Sequence, residues 1–153
     1  MKTNKLLGQN FIRCSWVIST MLKTAELKDS DVVLEVGAGT GILTKELAKT
    51  TKKVIAVEKD KNLIVRYLRP LEQKHQNLKV IEGDILKNFP EISKTCGLKL
   101  VTYKLVSNIP YYLTSRLLRI LLEQDPRPEI IALTVQKEVA ERICAKPPKM
   151  NLL

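Results

Sequence analysis

A chain of 153 residues has room for one domain with a real core, and 44% apolar with 27% charged residues and no low-complexity tract exclude a disordered protein. Its 26 Lys and Arg against 16 Asp and Glu leave a net charge of +10, which favours a polyanionic partner such as RNA, DNA or an anionic membrane surface, although a lysine-rich proteome gives the same balance. Cys14, Cys96 and Cys144 lie too far apart for a zinc site or a redox dithiol, so a reduced, cytoplasmic setting without a metal is expected, and no apolar stretch matches a signal peptide or a membrane-spanning helix.

Ahead of the first strand, Trp16, Val17, Thr20, Met21 and Thr24 fit one face of an amphipathic helix, which the turn around Asp29, Ser30 and Asp31 is expected to end. Short β-branched runs then alternate with segments of helical period. The strands are expected at Val32 to Val36, Lys53 to Val57, Lys79 to Ile81, Leu105 to Ser107 and Ile130 to Val135. Between them, Leu63, Ile64, Tyr67, Leu68 and Leu71 share a helical face, as do Leu117, Leu118, Leu121 and Leu122. Strand, crossover, strand is the pattern of an α/β fold with a mostly parallel sheet and right-handed connections. A helix from Gln136 to Ala145 follows the fifth strand. Pro147, Pro148 and the apolar Met150, Leu152 and Leu153 come next, where a sixth strand would begin.

The sharpest local signal is Glu35-Val-Gly37-Ala-Gly39-Thr-Gly41, which leaves the first strand and enters a helix. Glycines there let backbone pass close beneath a ligand and adopt dihedrals that a Cβ forbids. A dinucleotide fingerprint wants glycine where Ile42 stands, and the Gly-Lys-Ser/Thr of a P-loop is absent. Glu58 ends the second strand, where doubly wound folds place an acid that accepts from ribose hydroxyls, and this suits nicotinamide enzymes equally. Asp84, after the third strand, is placed to accept from the amine of an adenine ring, or is simply a solvated turn acid. Asn108-Ile-Pro-Tyr111 follows the fourth strand at the carboxyl edge of the sheet. Pro110 breaks the helix and is expected to leave its carbonyl free, Asn108 brings a side-chain acceptor, and Tyr111 offers a face for stacking a base. His75, in the polar Gln73-Lys-His-Gln76 stretch, is read as a surface residue.

Taken together, Gly8-Gln-Asn-Phe11, Glu35 to Gly41, Val57-Glu58, Glu82-Gly-Asp84, Asn108-Ile-Pro-Tyr111 and Gln136-Lys-Glu-Val-Ala-Glu-Arg142 make the chain similar to the ribosomal RNA adenine dimethyltransferase family. The erythromycin-resistance methylases are one branch of that family. The resemblance implies a Rossmann-like class I methyltransferase sheet. Residues 1–153 would form one S-adenosylmethionine-binding domain, with 1–28 as a cofactor-covering segment and helix. It further implies that Asn10 and Ile12 cover the methionine end of S-adenosylmethionine, that Gly37 and Gly39 bring backbone to it, that Glu58 holds the ribose, and that Asp84 holds the adenine amine. Asn108 would lie where cofactor and target base meet. Lys137 and Arg142 would reach RNA from the helix after the fifth strand.

The reaction so implied is methyl transfer to the N6 amine of adenine in ribosomal RNA, with small-subunit RNA and dimethylation the expected case. The partner would be ribosomal RNA or the pre-ribosomal small subunit, and the protein a monomer. The family pattern also has final strands, a second aromatic clamp and a C-terminal helical domain that are missing here. The chain is therefore expected to be truncated and poorly active alone. Two other readings stay open on the residues themselves. One is a nicotinamide-dependent oxidoreductase, favoured by Glu58 and disfavoured by Ile42; the other is a non-catalytic RNA-binding or ribosome-assembly factor, for which the charge suffices.

Overall fold

Runs such as Val-Val-Leu-Glu-Val and Lys-Val-Ile-Ala-Val-Glu are apolar on both sides of the pleat, the composition of strands covered by helices on both faces. The computed structural model of the chain describes residues 14–146, and it places these runs at the centre of a five-stranded sheet. The strands are β1 (Val32–Val36), β2 (Lys53–Glu58), β3 (Leu78–Glu82), β4 (Lys104–Asn108) and β5 (Ile130–Thr134). Their order is β3-β2-β1-β4-β5, and every pairing is parallel. The expected strands are all present; β5 stops one residue short of Val135, and β2, β3 and β4 run longer than the β-branched runs alone indicate.

The helices divide between the two faces. Ile18 and Met21 of α1 (Ser15–Thr24), Leu43, Leu47 and Ala48 of α2 (Ile42–Thr50), and Ile64 and Leu68 pack on one side with Val33, Val54 and Ala56. Phe89 and Ile92 of α5 (Ile85–Thr95), with Leu117 and Leu121 of α6 (Thr114–Glu123), pack on the other with Leu34, Val36, Ile55 and Leu105. Burying each such side chain contributes about 1.5–3 kcal/mol, so the two clusters supply the main drive to fold. The helical stretch after β2 is broken up: α3 (Lys61–Leu63) passes through a π-helical turn at Ile64–Leu68 into α4 (Arg69–Lys74). Pro70 has no N–H to donate, and its ring crowds the carbonyl one turn earlier, which accounts for the irregular ladder there.

Two details of α1 differ from the sequence reading. Its buried face is Ile18, Met21 and Ala25, with Val17 and Leu22 partly packed, whereas Trp16 is 70% exposed and Thr20 and Thr24 face solvent. The helix also ends at Ala25, before the Asp29–Asp31 turn, because Glu26 takes a left-handed φ of 48°. The Asp31 carboxylate then meets the Lys104 ammonium at 2.9 Å, and Lys104 also donates to the Glu26 carbonyl at 2.7 Å. This buried lysine ties the end of α1 to β4. On α6, Leu117 and Leu121 are buried but Leu122 is 55% exposed, so the apolar stripe is narrower than the four leucines suggest. The final helix, α7 (Lys137–Ile143), buries none of its residues.

Candidate active site

Strand order reverses between β1 and β4, and in an open parallel sheet the crevice outside the carboxyl ends at such a point is where ligands bind. The glycine loop after β1 and the turns after β2, β3 and β4 emerge on that edge. Gly37, Gly39 and Gly41 have φ of 71°, 60° and 76°, which only glycine adopts without strain. Gly41 has a second reason to lack a side chain, since a Cβ would sit 2.4 Å from Cδ1 of Leu71. At Gly37 the space is less tight, and a Cβ would meet Pro110 Cδ at 3.6 Å. The glycine loop and the Asn108–Tyr111 loop are therefore in van der Waals range of each other. Between them lies an open cleft of about 890 Å³, its solvent mouth included, whose lining includes Gly37, Gly39, Glu58, Asp84, Asn108 and Pro110.

The acids of this cleft have unlike surroundings. Glu58 is buried and both of its carboxylate oxygens accept from backbone: Oε2 from Gly39 N–H at 2.9 Å, and Oε1 from Lys59 N–H at 2.8 Å and Asp60 N–H at 2.9 Å. It thus locks the glycine loop against the end of β2, and a ribose would share these oxygens with the loop. Asp84 caps α5, with Oδ1 accepting from Leu86 N–H at 3.1 Å, and its second carboxyl oxygen has no such backbone donor. Glu35 has no adequate partner. It is 1% exposed, its Oε2 makes no hydrogen bond, and neither does the Thr44 hydroxyl beside it. Burial raises its carboxyl from the ordinary 4.5 to about 8; Thr44 offsets part of this despite lacking hydrogen-bond geometry, and the Glu58 carboxylate adds to the rise.

The loop after β4 is more committed than its sequence suggests. The Asn108 Oδ1 accepts the Thr134 hydroxyl of β5, and Ser107 Oγ accepts the Val36 N–H at 2.7 Å, fastening β4 to both neighbours. The Pro110 carbonyl is not free, as it accepts the Leu113 N–H at 2.9 Å and closes a 3₁₀ turn over Tyr111–Leu113. A carbonyl has two lone pairs, so one remains. Of the two tyrosines on that turn, Tyr112, 53% exposed, lines the cleft with Leu113, whereas Tyr111, 43% exposed, stands outside its lining. Asn10 and Ile12 lie outside the described residues. On α7, Lys137 makes an exposed ion pair with Glu141 at 3.7 Å, a contact of little energetic weight.

Glu35 was given no role of its own, and Tyr112 and Thr134 were not singled out from sequence. A lone acid inside Val-Val-Leu-Glu-Val was the available signal for Glu35; for Thr134 there was none, because its partner is 26 residues away. The cleft suits a nucleoside joined to a cationic tail. An acid with an open oxygen stands at one end, glycine backbone forms the floor, and a buried unpaired carboxyl lines the same space. Among the described residues, no group of three or more His, Cys, Asp or Glu side chains is arranged to hold a metal ion, and no helix is long and apolar enough to cross a membrane.

The model of a family described as ribosomal RNA adenine dimethylase matches residues 1–151. A ribosomal RNA small subunit methyltransferase A of Dehalococcoides mccartyi is 45% identical over 153 residues, which are 100% of this chain and 51% of that relative. Among solved structures, a dimethyladenosine transferase from Plasmodium falciparum superposes with a TM-score of 0.72 at 32% identity, over 90% of this chain and 47% of its own. The 23S rRNA methyltransferase ErmE gives a TM-score of 0.69 at 30% identity, over 87% of this chain and 50% of its own. The chain spans about half the length of the curated relatives it matches.

Proposed function

Because the chain belongs to the ribosomal RNA adenine dimethylase family, we propose that it binds S-adenosylmethionine in this cleft and transfers methyl groups to the N6 amine of adenine in ribosomal RNA. Small-subunit RNA is the substrate best supported, since the Dehalococcoides mccartyi relative, 45% identical, carries the small subunit in its name. The family's description supports two methyl groups per adenine, and a ribosomal substrate supports a cytoplasmic site of action. The observation that carries the reading is the meeting of the glycine loop with the Asn108 loop at the point where the strand order reverses.

When bound, S-adenosylmethionine supplies a methyl group already activated by its sulfonium charge. The side chains then have binding and orienting work to do. Gly37 and Gly39 admit close backbone approach, Glu58 accepts from ribose hydroxyls, and the open oxygen of Asp84 accepts from the adenine amine of the cofactor. Adenine N6 is a poor nucleophile because its lone pair is delocalised into the ring. Asn108 Oδ1 and the Pro110 carbonyl are the acceptors set beside its NH2 group, and they favour the amine as it loses that delocalisation and gains positive character. No general base of tuned pKa is needed. A paired adenine does not reach such a pocket, so the target is unpaired or flipped, with Tyr111 at the mouth as its stacking surface, worth ~1–3 kcal/mol. Tyr112 walls the cofactor side.

Labelled methyl transfer to small-subunit ribosomal RNA, with the product nucleoside identified, tests this reading. We expect N6-methylated adenine, and a loss of about 100-fold or more in Asn108→Ala with RNA affinity retained, the scale seen when one preorganised polar group is removed from a reacting centre. Binding of RNA that is indifferent to S-adenosylmethionine and to Asn108→Ala would instead identify a non-catalytic RNA-binding protein.

A further inference from the structure

Because every strand is parallel, their first residues share the edge of the sheet opposite the cleft, about one strand length from it, roughly 17–20 Å. Charge is divided unevenly between the two edges. Among the described residues lining the cleft, Glu35, Glu58, Asp60 and Asp84 are acids, and the one base is Lys59. At the opposite edge, lysines stand where the strands begin. Lys52 precedes β2 and Lys53 opens it, Lys79 is the second residue of β3, and Lys99 lies on the 3₁₀ turn Leu98–Leu100 between α5 and β4. Lys53 Nζ donates to the Cys96 carbonyl at the end of α5, 3.2 Å away. Burial raises the Cys96 thiol, and the charges of Lys79 and Lys53 pull it back, so both ammonium groups stand near the same point. The starts of β2 and β3 and the end of α5 thus meet in one basic surface. The acids of this edge lie on its other flank, where Asp31 is held by Lys104, and Asp29 and Glu129 precede β1 and β5.

Some of these lysines have a structural reason to be there. Helix C-termini carry partial negative charge and attract cations, which accounts for Lys49, Lys74 and Lys94 in the last turns of α2, α4 and α5. Lys53 is likewise committed to the end of α5. Lys52, Lys79 and Lys99 have no such reason. They are exposed, lie outside the last turn of any α-helix, and enter no ion pair with another described residue. Uncompensated ammonium groups on one surface repel one another, and a polyanion laid across them removes that repulsion while shedding its own condensed counterions. We infer that this edge is a second RNA-binding surface, one that grips backbone phosphates without reading bases, away from the adenine being methylated. The inference rests on the reading of RNA as the substrate. A cleft lined by acids has little hold on a polyanion, so it selects the base while phosphate contacts elsewhere supply affinity and position. A single nucleotide does not span the sheet, so the segment held here is a different part of the same RNA.

Equilibrium binding of the chain to small-subunit ribosomal RNA and to an unrelated RNA duplex, each measured over a range of salt, tests this surface. Lys52→Gln, Lys79→Gln and Lys99→Gln together should weaken binding to both RNAs. They should also flatten the slope of log K against log salt by about 2, since each phosphate contact contributes about 0.7–0.9. Arg at the same three positions keeps the charge and should bind as the parent does. Lys23→Gln with Arg127→Gln removes charge from outside this surface and should leave the slope nearly unchanged. Affinity for S-adenosylmethionine should be alike in all of these, because none of the positions lines the cleft. Should Lys79→Gln weaken the sheet, the parent answers instead: bound RNA should protect Lys52, Lys79 and Lys99 from chemical acetylation while Lys23 stays reactive. A triple variant with the parent's slope, or an equal loss per charge from Lys23 and Arg127, overturns the inference and leaves the methyltransferase reading standing. So does a parent that holds vesicles of anionic lipid more tightly than RNA and loses them in the triple variant, which assigns the surface to a membrane. If the parent binds neither RNA, the reading of RNA as substrate fails and the inference falls with it.

Discussion

At the scale of single residues, the polar groups around the cleft are mostly engaged before any ligand arrives, and this sets what a substitution would do. The Thr134 hydroxyl donates to Asn108 Oδ1, which fixes the plane of the amide. Thr134→Val keeps the shape and removes that hydrogen bond. Its loss is worth about 1 kcal/mol, so kcat should fall about tenfold or somewhat less while KM for S-adenosylmethionine changes little. Thr134→Ser restores the donor and should restore kcat; equal rates in the Val and Ser variants would show that the amide is held by other means. The positions of Glu58, Asp84 and Asn108 on one edge were legible in the sequence, because each follows a strand and parallel strands end together. Their engagement was not legible. Pairs such as Asn108 with Thr134 or Pro110 with Leu113, and the turn that sets Tyr112 rather than Tyr111 in the lining of the cleft, depend on backbone direction, which periodicity leaves undetermined.

At the scale of elements, what reads most clearly is what repeats. The strands and the stripe of Leu63, Ile64 and Leu68 follow from apolar spacing, and the structure bears them out to within a residue at the strand ends, whereas the stripe of α6 loses Leu122 to solvent. The face of α1 was misread because Trp16 and the threonines fit a stripe as well as Ile18, Met21 and Ala25 do, and only packing against the sheet selects between them. What holds α1 in place is equally long-range. Asp31 and Lys104 are 6% exposed on the lysine side and 16% on the aspartate side, and they join the α1–β1 connection to β4. Removing one partner of such a pair leaves a buried charge; since Asp31 keeps some contact with water, Lys104→Met should cost about 2–3 kcal/mol, at or below the low end of that class. The pair also predicts an acid effect. Burial pushes the Asp31 carboxyl up, but hydrogen bonds from Lys104 and from the Lys28 N–H outweigh it, and the net position lies below the ordinary 3.8. An acid held lower when folded stabilises the protein above its unfolded value, and this contribution fades as pH falls through the folded one. Denaturant melts should therefore show a loss below about pH 4 that is smaller in Asp31→Asn. Parallel curves for the two proteins would count against the pair.

At the scale of the whole molecule, the sequence already implied a parallel α/β sheet, yet the reversal of strand order that creates the cleft came only with the structure. The order β3-β2-β1-β4-β5 puts β1 at the middle, paired to β2 over five residues, and leaves β5 joined to β4 alone among the described strands. Burial follows the same gradient. Four of the five β1 residues are buried, as are five of the six in β2, whereas β5 buries Ala132 only and α7 buries nothing. Local opening free energies track such differences, since an element with few buried contacts opens without the rest unfolding. Amides of β1 and β2 should accordingly exchange only through global unfolding, and those of β5 and α7 through local opening, faster by about 100-fold if about 3 kcal/mol separates the two routes. The gradient bears on function because Thr134, the partner of Asn108, stands at the end of β5. In a protein made of residues 1–153 alone, opening of that edge releases the amide that orients the target amine, so methyl transfer should be weak even where S-adenosylmethionine binds. Measuring exchange and methyl transfer on the same preparation decides the matter: uniform protection across the sheet, or robust methylation of ribosomal RNA by residues 1–153, would show that the β5 edge is held firmly without further support.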